Sequence, residues 1–169
     1  MSTKLRLAGV IRESIVDGPG IRLVVFSQGC PHHCPECQNP ETHDPNGGYD
    51  TTVENILAAV RENPILQGVT LSGGDPFVQA PPVAVLAAEV RKLGLNVITY
   101  TGYTIEQLLA GLDTHPGWRE LLEQTDTLVD GPFLVEQKSL SLRFRGSRNQ
   151  RVIDPAASLQ AGKAIEKDF

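Results

Sequence analysis

Between residues 21 and 130 short β-like runs alternate with amphipathic helical ones, and this alternation narrows the possible folds more than any other feature of the chain. Ile21–Phe26 is a run of β-branched and apolar residues after the turn-forming Asp17-Gly-Pro-Gly20. Residues 51–62 predict a helix, with Val53, Ile56, Leu57 and Val60 on one face and Thr51 with Glu54 as a capping box. Gly68–Ser72 predicts a strand, residues 81–93 a helix ended by Gly94, and Leu95–Tyr100 a strand. Thr104 with Gln107 caps a further helix, Pro116 opens another through Glu123, and Thr127–Asp130 is a last short strand. Beyond it Ser139–Phe144 has strand-like alternation, and the last fifteen residues suggest a flexible tail. A β-α-β-α-β-α-β order implies a largely parallel sheet with crossover helices, hence an α/β fold. A closed eight-fold barrel takes about 250 residues. The 169 residues here therefore predict one domain over 1–169, built as a partial (β/α) barrel open on one side.

Ligands of such sheets bind at the C-terminal ends of the strands. Two unusual loops leave from those ends. One carries all three cysteines as Cys30-x-x-x-Cys34-x-x-Cys37, among Pro31, Pro35 and Pro40, which exclude a regular helix. The other is Gly73-Gly-Asp-Pro76. An odd number of cysteines within eight residues argues for a shared ligand rather than a disulfide framework. Thiolates bind iron–sulfur clusters, and a cubane held by three of them keeps one iron open to a substrate. Zinc remains a rival, because Cys34-x-x-Cys37 is a common zinc half-site and His32, His33 or His43 offers a fourth ligand. Gly73-Gly74 allows close backbone approach to a ligand, and Asp75 with the loop carbonyls favours an ammonium group.

Taken together, the cysteine motif after a strand and the Gly-Gly-acid-Pro loop after the next resemble the radical S-adenosylmethionine superfamily. Asp17-Gly-Pro-Gly-Ile-Arg22 is similar to activating enzymes of glycyl radical enzymes. Cys37-Gln-Asn39, Leu71-Ser-Gly-Gly-Asp-Pro76, Tyr100-Thr-Gly-Tyr103, Val129-Asp-Gly131 and Arg145-Gly-Ser-Arg-Asn-Gln150 resemble, more narrowly, the activating proteins of anaerobic ribonucleoside-triphosphate reductase. The resemblance implies a partial barrel of the radical S-adenosylmethionine type, with a [4Fe–4S] cluster on Cys30, Cys34 and Cys37. It also implies S-adenosylmethionine held by Glu36, Cys37, Gln38, Gly73, Gly74 and Asp75, with no catalytic side chain beyond the cluster. Glu36 departs from the aromatic residue the superfamily often carries before its third cysteine.

The implied activity is reductive cleavage of S-adenosylmethionine and formation of a glycyl radical on the reductase. The electron would come from a flavodoxin- or ferredoxin-like donor. An activase of another glycyl radical enzyme, such as pyruvate formate-lyase, is the alternative, and a non-catalytic zinc adaptor the remote one. A net charge of −5 argues against nucleic acid and anionic membrane as partners. Only Arg143, Arg145, Arg148 and Arg151 form a local basic cluster, open to reading as a solvated face, a carboxylate site or a docking surface. The absence of a leader-like stretch and of any run of about 18 apolar residues predicts a cytoplasmic protein.

Overall fold

A computed structural model describes residues 3–32, 34 and 40–169. The strands are β1 (Lys4–Ser14), β2 (Arg22–Ser27), β3 (Tyr49–Thr52), β4 (Gly68–Gly73), β5 (Asn96–Tyr100), β6 (Thr127–Asp130) and β7 (Arg151–Ile153). The helices are α1 (Val53–Arg61), α2 (Ala80–Lys92), α3 (Ile105–Ala110), α4 (Trp118–Glu123) and α5 (Pro155–Ala161). The strands form one sheet in the order β3-β1-β2-β4-β5-β6-β7. Its centre, β2-β4-β5-β6, is parallel, while β1, β3 and β7 add antiparallel pairs at the two sides. The sheet does not close, as expected of a partial barrel, and β3 and β7 are its edges.

Alternation along the strands divides the sheet into two faces. Leu23, Val25, Val69, Leu71, Val97 and Leu128 join one apolar cluster with Ile56, Leu86, Val90, Leu108 and Leu121 of the helices. The intervening residues, among them Arg22, Val24, Thr70 and Ile98, are buried on the other face. Loops rather than helices cover that side. The Thr70 hydroxyl donates to the carbonyl of Asp17 at 2.7 Å, and Arg22 donates to that of Pro19 at 3.1 Å.

Several boundaries depart from expectation. Thr52, not Thr51, caps α1: its hydroxyl accepts from Asn55 N, while Thr51 pairs with Leu5 between β3 and β1. The Thr104–Gln107 capping box is present at α3. Helix α4 starts at Trp118, after Gly117 in the left-handed region. Residues 139–144 form no strand, and Leu140 there is 94% exposed. The chain end is packed rather than a loose tail. Asp154 caps α5, Asp154 N donates to Ile165 O, and Lys167 N donates to Val152 O.

Arg151 shows how the β7 edge is held. Its guanidinium bonds Asp130 at 2.6 and 3.1 Å and Glu106 at 2.6 and 3.2 Å. Asp130 is buried and also accepts from Ile105 N at the start of α3. The hydrogen bond from Arg151 holds the Glu106 carboxyl below its usual range. A carboxyl depressed in the folded state stabilises the fold above its unfolded pKa and stops doing so as pH falls through its folded value. Arg151→Met is therefore expected to destabilise the protein by about 2 kcal/mol at pH 7. In thermal melts the gap from wild type should shrink at acid pH, below about 4, as Glu106 protonates. A gap independent of pH would contradict this account.

Candidate functional site

The site is built where β2 and β4 end. The cysteine loop follows Ser27, and its base is closed by two backbone bonds, Gly29 N to Thr42 O at 2.6 Å and Cys30 N to His43 O at 3.3 Å. Gln28, 3% exposed, supports that base from beneath, its amide nitrogen donating to the carbonyls of Glu41 and Asp44 at 3.0 and 2.6 Å. Cys30 and Cys34 are both half-buried. Cys37, Glu36, Gln38 and His33, named above as site residues or zinc ligands, lie outside the described residues.

The glycine loop runs alongside. Beyond the last β2–β4 pair, Gly74 N donates to Ser27 O at 2.9 Å and Asp75 N to Gly29 O at 2.8 Å. A side chain is excluded here by backbone. A Cβ on Gly73, at φ +106°, would come 2.4 Å from Ser27 N, and one on Gly74 2.3 Å from Gly29 O and 2.8 Å from Thr42 O. The two glycines thus bring this turn into contact with the cysteine loop itself.

Asp75 is fully buried and joins three loops. Its Oδ1 accepts from Phe77 N at 3.0 Å, starting the short 3-10 turn Pro76–Gln79. The Thr101 hydroxyl donates to both oxygens, at 3.0 and 2.8 Å, and Gly102 N to Oδ2 at 3.0 Å, which ties in the end of β5. The fifth contact is His32 Nε2 to Oδ2 at 2.6 Å, from inside the cysteine loop. His32, considered above as a zinc ligand, is thus engaged with a carboxylate. Tyr103 packs edge-on to the His32 ring, at 4.5 Å between centroids, and accepts Gly131 N at its carbonyl, linking the end of β6. Burial raises the Tyr103 phenol pKa, and the charges of Asp75 and Cys30 raise it further.

The arginine cluster separates into different roles. Arg151 is structural, as described above, while Arg143 and Arg148 are exposed, with Arg143 lying over the Phe144 ring. Arg145 sits where residues 144–150 fold across the ends of β5 and β6. Tyr100 OH donates to Phe144 O at 2.7 Å, and Gln150 Nε2 to Gly131 O at 3.2 Å. One Arg145 terminal nitrogen donates to Gln150 O, and its buried Nε meets no acceptor among the described residues. That orphaned donor suits an anionic group.

A family model described as a 4Fe-4S single cluster domain matches residues 16–153. The anaerobic ribonucleoside-triphosphate reductase-activating protein of Salmonella typhimurium is 35% identical over 146 residues, spanning 82% of this chain and 91% of its own. This chain belongs to that family. The Vibrio cholerae member is 36% identical over 144 residues, spanning 80% of this chain and 89% of its own. Among solved structures, QueE from Escherichia coli is 18% identical with a TM-score of 0.48, over 60% of this chain and 53% of its own. Membership in a single-cluster iron–sulfur family decides between the two metals left open by spacing, in favour of an iron–sulfur cluster. The donor set fits such a cluster: Asp75, the nearby buried carboxylate, is engaged by protein donors, and Cys30 and Cys34 offer half-buried free thiols.

Proposed function

We propose that this chain is an iron–sulfur activase. It holds a [4Fe–4S] cluster on Cys30, Cys34 and Cys37, binds S-adenosylmethionine beside it, and forms a glycyl radical on anaerobic ribonucleoside-triphosphate reductase. The observation that carries this reading is the direct joining of the cysteine loop to the Gly73–Asp75 turn by backbone bonds, in a member of the reductase-activating family. A cluster ligand set and a turn suited to an ammonium group then share one frame.

Held by Cys30, Cys34 and Cys37, the cluster would supply one-electron reduction of the S-adenosylmethionine sulfonium, the chemistry from which the reductase's glycyl radical derives. The protein's own contributions are positional. Gly73 and Gly74 keep the turn against the cysteine loop, and its open backbone would receive the amino group. Among the described residues Asp75 is bonded by Phe77 N, Thr101, Gly102 N and His32, and we assign it to the cofactor site through the loops it holds. We assign the buried, unpartnered Nε of Arg145 to the cofactor carboxylate, which would accept a charge-assisted bond from it. Glu36, Cys37 and Gln38 complete the proposed set of cofactor contacts. No described helix is long and apolar enough to cross a membrane. We place the protein in the cytoplasm, where reducing conditions keep thiols available and a flavodoxin- or ferredoxin-like donor delivers the electron.

The test mixes the reduced, cluster-loaded chain with S-adenosylmethionine and the reductase under anaerobic conditions. A glycyl doublet in electron paramagnetic resonance, with 5′-deoxyadenosine formed in step with it, is expected. A loaded chain that yields neither would overturn the reading.

A further inference from the structure

We propose that His32 is a positioning residue for S-adenosylmethionine: by donating to Asp75 it locks the cluster loop to the Gly73–Gly74 turn, so that the open iron and the amino-acid-binding turn keep one mutual geometry. The inference rests on the function proposed above and assigns a role to a residue between the cluster cysteines.

Four observations carry it. The bond to Asp75 is short, 2.6 Å, and shielded, the two side chains being 15% and 0% exposed. The acceptor is a carboxylate, so Nε2 carries the hydrogen. The ring lies directly over Gly102, where a Cβ would come 2.4 Å from its Cδ2, so the end of β5 is shaped to receive an imidazole. Its edge-on contact with Tyr103 fixes its tilt. Finally, Asp75 sits one residue after Gly74 and is itself immobilised by Phe77, Thr101 and Gly102. A group that grips it therefore takes its position from the same backbone that would hold the cofactor's amino group. The described backbone bonds at the loop base are made at Gly29 and Cys30, whereas His32 reaches the rim from further along the loop. Without it the loop keeps its base and its thiols but loses a fixed distance to the turn.

The role predicts that cluster assembly and cofactor binding separate in variants. His32→Leu fills the space over Gly102 without a donor. His32→Gln keeps an amide donor near the Nε2 position, and His32→Ala removes both. Each protein is loaded anaerobically with iron and sulfide. Iron per chain, the spectrum of the reduced cluster with and without S-adenosylmethionine, and the cofactor dissociation constant are then measured, with circular dichroism to check folding.

Wild type, His32→Leu and His32→Gln are expected to take up equal iron. Cofactor affinity should fall about tenfold in His32→Leu, with loss of the cofactor-induced change in the cluster spectrum, and recover to within about threefold of wild type in His32→Gln. If His32→Ala does not fold, the leucine–glutamine comparison decides alone. Wild-type affinity and spectral response in His32→Leu would overturn the proposal, as would equal loss of iron in both variants, which would make His32 a support of the cluster only. A wild-type chain that loads iron yet shows no response to S-adenosylmethionine would count instead against the proposed function.

Discussion

Gly74→Ala is expected to lower the melting temperature by about 6–12 °C, corresponding to about 3 kcal/mol in a chain of this length, and to reduce the iron bound per chain. The added Cβ would meet backbone oxygens of Gly29 and Thr42 at 2.3 and 2.8 Å, both belonging to the base of the cysteine loop. No rotamer relieves such a contact, because neither neighbour is a side-chain tip. The loop base must move away from β4, and the bonds Gly74 N to Ser27 O and Asp75 N to Gly29 O are strained together. Gly9→Ala supplies the comparison, since a Cβ there has nothing within 4 Å. Melting curves and iron analysis of the two variants measure the effect. A Gly74→Ala protein that melts with wild type and binds full iron would show that the two loops are not coupled.

The second large effect is expected at Arg22. This residue is 1% exposed, and its partners are all neutral: Thr70 Oγ1 at 2.8 Å and the carbonyls of Pro19, Val69 and Asn96 at 3.1, 3.0 and 3.4 Å. Burial pulls the guanidinium pKa down to about 10, against the opposing pull of Tyr100 and Asp126, so it stays charged at neutral pH although all its hydrogen-bond partners are neutral. Two effects compete when Arg22→Met removes it. Loss of a desolvated cation favours the fold, as replacement of buried charges often does. Against this, four acceptors lose a donor, those at Thr70 and Val69 in fully buried bonds, at about 1 kcal/mol or more each. The second outweighs the first, and destabilisation by about 3 kcal/mol is expected in chemical denaturation. Arg22→Lys should not restore it, because a compact ammonium lacks the planar fork that reaches several acceptors at once. A neutral or stabilising methionine would mean that Arg22 does not organise the Asp17–Gly20 turn.

The central strands were legible because each is a run of apolar, β-branched residues bounded by turn formers. The edges were not. β3 is four residues, Tyr-Asp-Thr-Thr, with no fully buried side chain, and β7 is three; both take strand form from a neighbour rather than from their own pattern. In β1, Leu5 and Leu7 alternate inward, but the register shifts between Leu7 and Gly9 and the period breaks there. Asp154-Pro155 held a start signal for α5 that the unpatterned tail obscured. The reverse error came from Ser139–Phe144, which alternates but has no strand to pair with. At the site, the cysteines and glycines declare themselves by motif. The tie through Asp75 does not, because its partners His32 and Thr101 lie 43 and 26 residues away. Only parallel pairing of β2, β4 and β5 brings them together.

That tie also sets an order of events. Asp75 cannot complete its contacts until Gly102 stands beside it, so the rim takes its final shape only after three strands from the first hundred or so residues have assembled. A finished cofactor rim is thereby placed late in the life of the polypeptide. A nascent chain carrying Cys30, Cys34 and Cys37 has its thiols early, but the rim that fixes their loop against the glycine turn is complete only once synthesis has passed the end of β5.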